Sequence, residues 1–325
     1  MKIIEDMYWY PAAKPVTHVL GRGLSMNVCA VDQGDEIWLV DAGTKPLGRP
    51  RRIVKWIEQD GMDPSKISKI FITHAHSDHV GALDFFKDKF NPEILIHEQD
   101  ADFLTHAYDY YWKEQLDAAG ILAKDFLPLP ISFIMLFVNY SNGKVKPIPP
   151  TRALKDDEII KGNRHDFHVI HTPGHTKGAA CFYIPDTKVL FSGDLVLLNS
   201  RKAMEKPPLN AASSDFDAFR DSLMHVRELD TEILCGAHAT KPIFGNDVIH
   251  AIWSKSIENL DDLKASVIAL FQQKATRFIK DFKGLLPEHM WTGIDRLTAA
   301  YSAIKSLEHE GKVQRESKLF HYTGE

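Results

Sequence analysis

The sequence predicts an α/β protein in which two β-sheets lie between outer layers of helices. Three observations indicate this fold class. Short apolar strand patterns alternate with amphipathic helical patterns along most of the chain. These strands form two groups, separated by a stretch at about 99–150, and most of them lead directly into a polar loop. With 325 residues, of which 44% are hydrophobic, the chain is long enough to bury such a core.

The predicted elements follow the same order in both groups. In the first group, strands are predicted at 26–31, 36–40, 67–73 and 93–97, and helices at about 51–59 and 83–90. In the second group, strands are predicted at 167–171, 179–184, 188–191 and 231–235, and a helix at about 216–228. The first two strands flank Gln33-Gly34-Asp35, so they are expected to form a hairpin that ends at Asp41.

Two segments depart from this alternation. Residues 99–150 are interpreted as an insertion, aromatic at 108–112 and then rich in proline and apolar residues, with an apolar run at 129–138. From residue 246 the chain turns helical, with helices expected at about 257–282 and 295–309 and a small hairpin at 313–322. We therefore predict a catalytic domain at 1–245 and a C-terminal helical region at 246–325.

Composition and charge exclude several classes of protein. The net charge of -5 disfavours binding to a phosphate backbone and favours a small-molecule substrate. No apolar run reaches the length of about 20 residues needed to cross a bilayer. Cys29, Cys181 and Cys235 lie in apolar runs and are expected to be buried thiols rather than disulfides. Acidic residues in MKIIEDMYWY argue against a signal peptide, and a cytoplasmic protein is expected.

The segment from Thr73 to His79 carries the strongest chemical signal. His74 and His76 have strand spacing and should point the same way, and Asp78 and His79 follow where the chain turns into a helix. Imidazole and carboxylate are the ligands that a Zn²⁺-like ion prefers. The alternative is that Ser77 or Asp78 caps a helix beside unrelated histidines, but this density of ligand types favours a metal site.

Three more predicted strands end in a ligand-type side chain beside glycine. These are His175 in TPGHT, Asp194 in SGD and His238 in CGAH. Together with the HAHSDH segment at 74–79 and Asp41 in VDAG, the set resembles the metallo-β-lactamase superfamily over about residues 15–245. Ala237 is an extra residue before His238 compared with the commoner Gly-His, so His238 is the ligand most open to revision.

The resemblance implies an αββα sandwich with the ligand loops along one edge and two divalent metal ions. His74, His76 and His175 would bind one metal. Asp78, His79 and His238 would bind the other, Asp194 would bridge them, and Asp41 would orient a ligand from outside the donor set. Zn²⁺ is expected first, with Mn²⁺, Fe and Co²⁺ left open. His97 could support the site from outside, whereas His165, His168 and His171 are expected to be ordinary strand or loop residues.

Within the superfamily, the residues resemble those of glyoxalase II-like thioesterases, lactonases and related esterases. Asp194 stands where true β-lactamases of this superfamily generally have Cys or Ser, which argues against antibiotic hydrolysis. We expect a hydroxide that bridges the metals to attack an acyl carbon, with Asp78 carrying the proton to the leaving group. The apolar insertion favours a substrate with an apolar acyl group, although it could instead pack a homodimer interface or a local core.

Other functions are left open by the C-terminal region. The helix and hairpin at 295–322 resemble the winged-helix-like tail of some superfamily members, and one branch with such a tail cleaves single-stranded RNA. Basic residues there are offset by acidic ones, so nucleic acid is not the favoured partner. A metal-bearing binding or sensor protein with little turnover is a further alternative, and iron-dependent persulfide oxidation is another.

Overall fold

Two stacked β-sheets form the centre of the protein. The structure is a computed structural model that describes residues 1–12, 26–45, 49–106, 146–196, 214–282, 293–316 and 319–324. Helices cover the outer face of each sheet, and large side chains fill the space between the sheets. The αββα sandwich predicted from the sequence is therefore confirmed.

Within the described residues, the first sheet contains seven strands in chain order. Its elements are β1 (Lys2–Ile4), β2 (Met7–Ala12), β3 (Met26–Asp32), β4 (Ile37–Val40), α1 (Arg49–Gln59), β5 (Ile67–Ile72), α2 (Ser77–Val80), α3 (Leu83–Phe90), β6 (Glu93–His97), α4 (Glu98–Thr105) and β7 (Arg152–Leu154). Strands β1 to β4 pair antiparallel, and β4 to β7 pair parallel. Because β4 and β5 run parallel, the loops that follow them leave from the same edge of the sheet.

In the part of the chain that the structure describes, the second sheet has six strands in the order β13-β12-β11-β10-β9-β8. Its elements are β8 (Ile159–Ile160), β9 (Phe167–His171), β10 (Ala180–Ile184), β11 (Val189–Gly193), α5 (Phe216–Arg227), β12 (Ile233–Gly236) and β13 (Ile243–Phe244). Strand β10 runs antiparallel to both β9 and β11, and β11 runs parallel to β12. The loops after β9, β11 and β12 therefore leave from one edge, as the predicted ligands require.

Aromatic side chains fill the space between the two sheets. The ring centroids of Phe71 and Phe167, one from each sheet, lie 4.6 Å apart. Trp38 meets Phe167 edge-on at 5.2 Å, and Phe182 meets Phe71 at 5.3 Å. Each such buried side chain contributes about 1.5–3 kcal/mol of hydrophobic stabilisation. This packing fixes the separation of the two edges that carry the ligand loops.

The C-terminal region consists of helices and a small sheet. Its elements are α6 (Asn246–Gln273), β14 (Thr276–Phe278), α7 (Gly293–His309), β15 (Val313–Glu316) and β16 (Leu319–Tyr322). The predicted hairpin at 313–322 is confirmed, and β14 pairs with its second strand. The predicted helix at 257–282 was wrong at both ends. Lys274 adopts an extended conformation, and pairing of Thr276 with His321 ends the helix nine residues early.

Two further differences from the sequence prediction concern the first sheet. Strands β1 and β2 were not predicted, because Asp6 makes their turn with a left-handed φ of 65° where a glycine would have marked it. The start of the predicted insertion forms α4, whose Phe103 and Leu104 are buried against the sheet. The aromatic residues at 108–112 and the apolar run at 129–138 lie outside the described residues. The domain boundary at 245/246 stays a prediction.

None of the helices in the described part of the chain combines the length and the apolar character needed to span a membrane.

Candidate metal centre

The seven predicted ligands all lie at one edge of the sandwich, in loops that follow strands or in the short helix α2. The chain leaves β5 at Thr73, and α2 begins at Ser77, so His76 stands at the junction as the cap of a short helix. His74 and His79 point inward from this junction and are buried, whereas Asp78 is partly exposed. The turn from strand to helix thus places ligand-type side chains on several sides of one small space.

The first group of metal-compatible side chains contains His74, His76 and His175. One ring nitrogen from each lies within 4.8 Å of the others. Nε2 of His175 is 3.0 Å from Nδ1 of His76, and the rings of His74 and His76 meet edge-on at 4.6 Å. These three histidines are the set that the sequence analysis assigned to one metal.

The second group contains Asp78, His79 and His238, and their ligand atoms also lie within 4.8 Å of one another. Nε2 of His238 is 3.2 Å from Oδ2 of Asp78. The extra residue Ala237 therefore does not displace His238 from the position expected of it. The structure brings the same three side chains together that the resemblance placed on the second metal.

Asp194 lies between the two groups. Its Oδ1 is 3.3 Å from Nε2 of His79. Its Oδ2 is 3.5 Å from Nε2 of His175 and 3.3 Å from Nε2 of His238. A single carboxylate thus contacts both groups of histidines, which is the arrangement needed for a bridging ligand.

The donor atoms of the centre fit a bound cation. Within the described residues, Nε2 of His74, Nε2 of His79 and Oδ1 of Asp194 are buried and make no hydrogen bond of acceptable geometry. An unsatisfied buried polar group costs about 1–3 kcal/mol, so three at one point need a compensating interaction. Imidazole nitrogens and carboxylate oxygens are donors that divalent transition metals accept. The residues present therefore fit one or more divalent ions.

The two groups differ in their electrostatics. Burial, reinforced by neighbouring imidazoles, holds the pKa of His74 well below its usual range and lowers that of His76 to about 3. Burial also disfavours charge on His79 and His238, but nearby carboxylates outweigh it. They hold the pKa of His79 well above its usual range, and Asp194 helps to raise that of His238 to about 10. Without metal, positive charge therefore accumulates around Asp194 on the second group.

Asp41 supports His79 from outside the two groups. Its backbone is left-handed, with φ 62°, and its carboxylate turns toward the ligand loop. Oδ2 lies 2.9 Å from Nδ1 of His79, and Oδ1 accepts a hydrogen bond from the backbone N–H of Thr73 at 2.9 Å. With a metal bound, an acceptor on Nδ1 would leave the lone pair of Nε2 of His79 directed at the ion. Asp41 thus contacts both a candidate ligand and the start of its loop, and its orienting role stays a prediction.

Two buried polar residues that contact the ligand loops were not predicted from the sequence. Asp100 on α4 accepts hydrogen bonds from residues beside His74, His76 and His175, and Asn27 on β3 donates to residues beside His238. Asp100 was assigned to the insertion, and Asn27 lies inside an apolar strand. Neither has a sequence spacing that links it to a loop, although Gly178 marks a close approach to Asp100.

The remaining histidines near the motifs have other partners. Nδ1 of His165 lies 2.8 Å from Asp186, and Nε2 of His171 donates to the carbonyl of Lys177 at 2.8 Å. His97 stacks on His171, with ring centroids 3.9 Å apart. The three cysteines are free and buried, as predicted.

Comparison with known proteins places these observations in a family. The family model described as the metallo-beta-lactamase superfamily matches residues 21–238. In Bacillus subtilis (strain 168), the probable metallo-hydrolase YqgX is 24% identical over 151 residues, which cover 46% of this chain and 58% of that protein. In Gallus gallus, the acyl-coenzyme A thioesterase MBLAC2 is 29% identical over 137 residues, which cover 42% of this chain and 44% of that protein. The chain thus spans about half the length of these relatives.

A solved structure shares the fold over almost the whole chain. The metallo-beta-lactamase family protein TTHA1429 from Thermus thermophilus aligns with a TM-score of 0.74 and 19% identity, covering 98% of this chain and 99% of that one. A beta-lactamase domain protein from Burkholderia ambifaria aligns with a TM-score of 0.69 and 17% identity. This alignment covers 100% of this chain and 94% of that one. At this identity the likeness concerns the fold, while the match to the family model extends over two thirds of the sequence. The chain therefore belongs to the metallo-β-lactamase superfamily.

Proposed function

We propose that this protein is a binuclear metal-dependent hydrolase that cleaves the acyl bond of a thioester, an oxyester or a lactone, with thioesters as the preferred class. The observation that carries the proposal is the convergence of seven ligand-type side chains from four loops on one small space. The similarity to an acyl-coenzyme A thioesterase supports the choice of thioesters.

The ligand assignment follows the two groups. His74, His76 and His175 would hold one divalent ion, and Asp78, His79 and His238 the other, with Asp194 shared between them. When bound, such ions would polarise the substrate carbonyl and lower the pKa of water toward roughly 7. Zn²⁺ is the ion we expect first, because imidazole nitrogens outnumber carboxylates in the set.

Asp78 is the residue we assign to proton transfer. Its side chain is 27% exposed, against 2% for His238 beside it, so its carboxylate faces the side from which a substrate can enter. Burial opposes its ionisation, but the imidazoles of His79 and His238 outweigh this and hold the pKa of Asp78 below its usual range. An ionised carboxylate there can accept the proton of the attacking water and pass it to the leaving group.

The leaving group decides how much the reaction needs that proton. A thiol has a pKa of about 8.5 and leaves readily as a thiolate. An alcohol is a far weaker acid, so its oxygen must be protonated as it leaves. We therefore expect Asp78→Asn to reduce turnover of an oxyester more strongly than turnover of the matched thioester. An equal loss on both substrates would contradict the proton-transfer role of Asp78.

The activity is tested with a substrate panel on the zinc-loaded protein. The panel contains acyl-coenzyme A thioesters of increasing chain length, matched oxyesters, lactones, a phosphodiester and single-stranded RNA. We expect the highest kcat/KM on a thioester and loss of that activity in Asp194→Ala. Faster cleavage of RNA or the phosphodiester would overturn the acyl proposal, and stable metal binding without turnover of any substrate would favour a sensor.

Contacts in the C-terminal region favour cleavage of an acyl bond over cleavage of RNA. Nη1 of Arg315 donates to the hydroxyl of Tyr301 at 3.1 Å, and its guanidinium lies over the ring of Phe320. Lys312 forms an ion pair with Glu310 at 2.7 Å. Both cations thus have partners within the fold, and Glu310 offsets the charge of Lys312, whereas contact with a phosphate backbone relies on Lys and Arg side chains whose charge is not offset.

A further inference from the structure

Two buried polar side chains lie behind the candidate ligand groups, one behind each. We infer that Asp100 is a positioning residue for the metal position of His74, His76 and His175, and that Asn27 is an independent positioning residue for the position of His238. The inference rests on the proposed binuclear centre. It predicts that the two metal positions can be weakened separately through residues that are not themselves ligands.

Asp100 joins the two loops that carry the first group. Its Oδ2 accepts a hydrogen bond from the backbone N–H of Ala75 at 3.0 Å and from Oγ1 of Thr176 at 2.9 Å. Its Oδ1 accepts from the backbone N–H of Gly178 at 2.7 Å. Ala75 lies between His74 and His76, and Thr176 follows His175. One carboxylate therefore fixes the spacing of all three histidines.

The contacts of Asp100 require a carboxylate. All three groups that face it are donors, and the side chain is buried, with 7% exposed. Hydrogen bonds to an ionised acceptor are roughly twice as strong as those between neutral groups. An asparagine at this position would turn its NH₂ group toward at least one N–H or hydroxyl donor. Asp100→Asn therefore breaks at least one of these hydrogen bonds while keeping the volume of the side chain.

Gly178 shows that the loop is built around Asp100. A Cβ added to Gly178 would lie 2.4 Å from the backbone nitrogen of Asp100 and 2.7 Å from its Oδ1. Real Cβ atoms do not approach other atoms so closely, so a side chain here would push the loop away from α4. Glycine is thus needed because the backbone after His175 passes directly against Asp100.

Asn27 makes a separate set of contacts with the loop that follows β12. Its Nδ2 donates to the carbonyl of Ala239 at 2.7 Å and to that of Gly236 at 3.2 Å. Its backbone N–H donates to the carbonyl of Ala237 at 2.8 Å. Residues on both sides of His238 are therefore bonded to one residue of the first sheet. This support stabilises the loop with its extra residue and keeps His238 beside Asp78 and Asp194.

The test measures two zinc affinities of the full-length protein by competition with a chromophoric chelator. We expect the wild type to bind two equivalents. Asp100→Asn should lower the affinity for one of the two zinc ions by roughly 10- to 100-fold, the range typical of partners that hydrogen-bond to metal ligands. The affinity for the other zinc ion should be unchanged. Asn27→Ala should weaken the other equivalent. In the double variant Asp100→Asn/Asn27→Ala, the affinities for both zinc ions should be reduced, each by the factor seen in the corresponding single variant.

A milder pair of variants guards against misfolding. Thr176→Val removes one of the three donors to Asp100 at nearly constant volume, and should weaken the same equivalent as Asp100→Asn by a smaller factor. Thr105→Val is the matched control on α4, because its hydroxyl donates to the carbonyl of Ala101 in its own helix. Both zinc affinities should be unchanged in this control.

The outcomes separate the inference from the proposed function. If the wild type binds two zinc ions but Asp100→Asn and Asn27→Ala leave both affinities unchanged, or weaken the same one, the positioning roles are wrong and the binuclear centre stands. If the wild type does not bind two ions, the proposed centre fails and the inference fails with it. A fall in Tm with both affinities intact would show that these residues support only the fold.

Discussion

At the scale of single residues, the carboxylate of Asp41 contacts Nδ1 of His79 at 2.9 Å, and we propose that this contact orients the His79 ring. Asp41→Asn keeps the side-chain volume, and asparagine tolerates the left-handed backbone at this position. The substitution removes the charged acceptor from Nδ1 of His79. We expect metal affinity to fall by roughly 10- to 100-fold, as is typical when such a partner is lost.

The measurement for Asp41 is a zinc titration with a matched control. Asp157 has a similar left-handed φ of 57° and an exposed side chain, so Asp157→Asn tests the backbone effect alone. Zinc affinity should be unchanged in this control. If Asp41→Asn also binds zinc with wild-type affinity, Asp41 does not orient a ligand.

His97 gives the fold a defined dependence on pH. Burial, together with the ring of His171, lowers the pKa of His97 to about 4. Between about pH 6.5 and pH 4 the unfolded chain binds a proton on this residue that the folded chain does not. The free energy of unfolding should therefore fall as the pH drops through this window, by up to about 1.4 kcal/mol per pH unit from this group.

The variant His97→Asn isolates that contribution. Asparagine keeps an acceptor for the N–H of Gln99 at the start of α4 and removes the titrating ring. Urea unfolding at several pH values should show a shallower loss of stability in the variant than in the wild type between pH 6.5 and 4. Parallel curves for the two proteins would contradict the low pKa of His97.

The convergence of the seven ligand-type side chains was predictable from the sequence, because few side chain types bind metals and these follow predicted strands. Four of them lie in one segment at 74–79, and the other three lie in loops with a nearby glycine. His238 could be placed in spite of its extra neighbour, since β12 ends next to β11. Asp100 and Asn27 were not predictable, because a side chain that bonds to a distant backbone leaves no periodic pattern. Their partners lie 25 to 212 positions away in the chain.

At the scale of elements, the loop after β9 packs directly on the first turn of α5. A Cβ added to Gly174, which has φ 127°, would lie 2.4 Å from the backbone of Phe219. Gly174→Ala should therefore strain the backbone and push His175 away from the centre. We expect a loss of about 2–5 kcal/mol in the free energy of unfolding, together with weaker metal binding.

Gly61 provides the control for Gly174. It also has a positive φ, of 85°, but among the described residues nothing lies within 4 Å of an added Cβ. In Gly61→Ala, the free energy of unfolding should fall only by the backbone cost of about 1–2 kcal/mol, and the metal affinity should be unchanged. Equal losses in the two variants, by calorimetry and zinc titration, would show that contact with α5 does not position His175.

Elements with a strong local pattern were predicted well, and those defined by distant partners were not. The hairpin of β3 and β4 was recovered from its apolar runs and its turn. The end of α6 was misplaced, because Thr276–Phe278 follows a helical pattern in the sequence but pairs with β16 in space. Tertiary pairing of this kind overrides local propensity and is not visible in one segment.

At the scale of the whole molecule, the C-terminal helices share one hydrophobic core with the second sheet. Trp253, Leu260 and Phe271 of α6 are almost completely buried in the cluster that also contains Phe219 and Leu223 of α5. Each contributes about 1.5–3 kcal/mol, and the net stability of a typical protein is only about 5–15 kcal/mol. The sandwich therefore depends on α6 for stability.

Deletion of residues 246–325 tests this dependence. The shortened chain would expose the apolar face of α5, so we expect aggregation and no cooperative unfolding transition. Circular dichroism and light scattering measure both properties. A monomeric, cooperatively unfolding fragment of residues 1–245 would show instead that the predicted domain boundary separates two independent units.

The central claim is that four loops cage two metal ions that share Asp194. Its most direct test is elemental analysis of the purified protein after dialysis against zinc, compared with Asp194→Ala. The account predicts two zinc ions per wild-type chain. It also predicts substantially reduced occupancy in the variant, since a shared ligand supports both positions. Two tightly bound zinc ions in Asp194→Ala would contradict it.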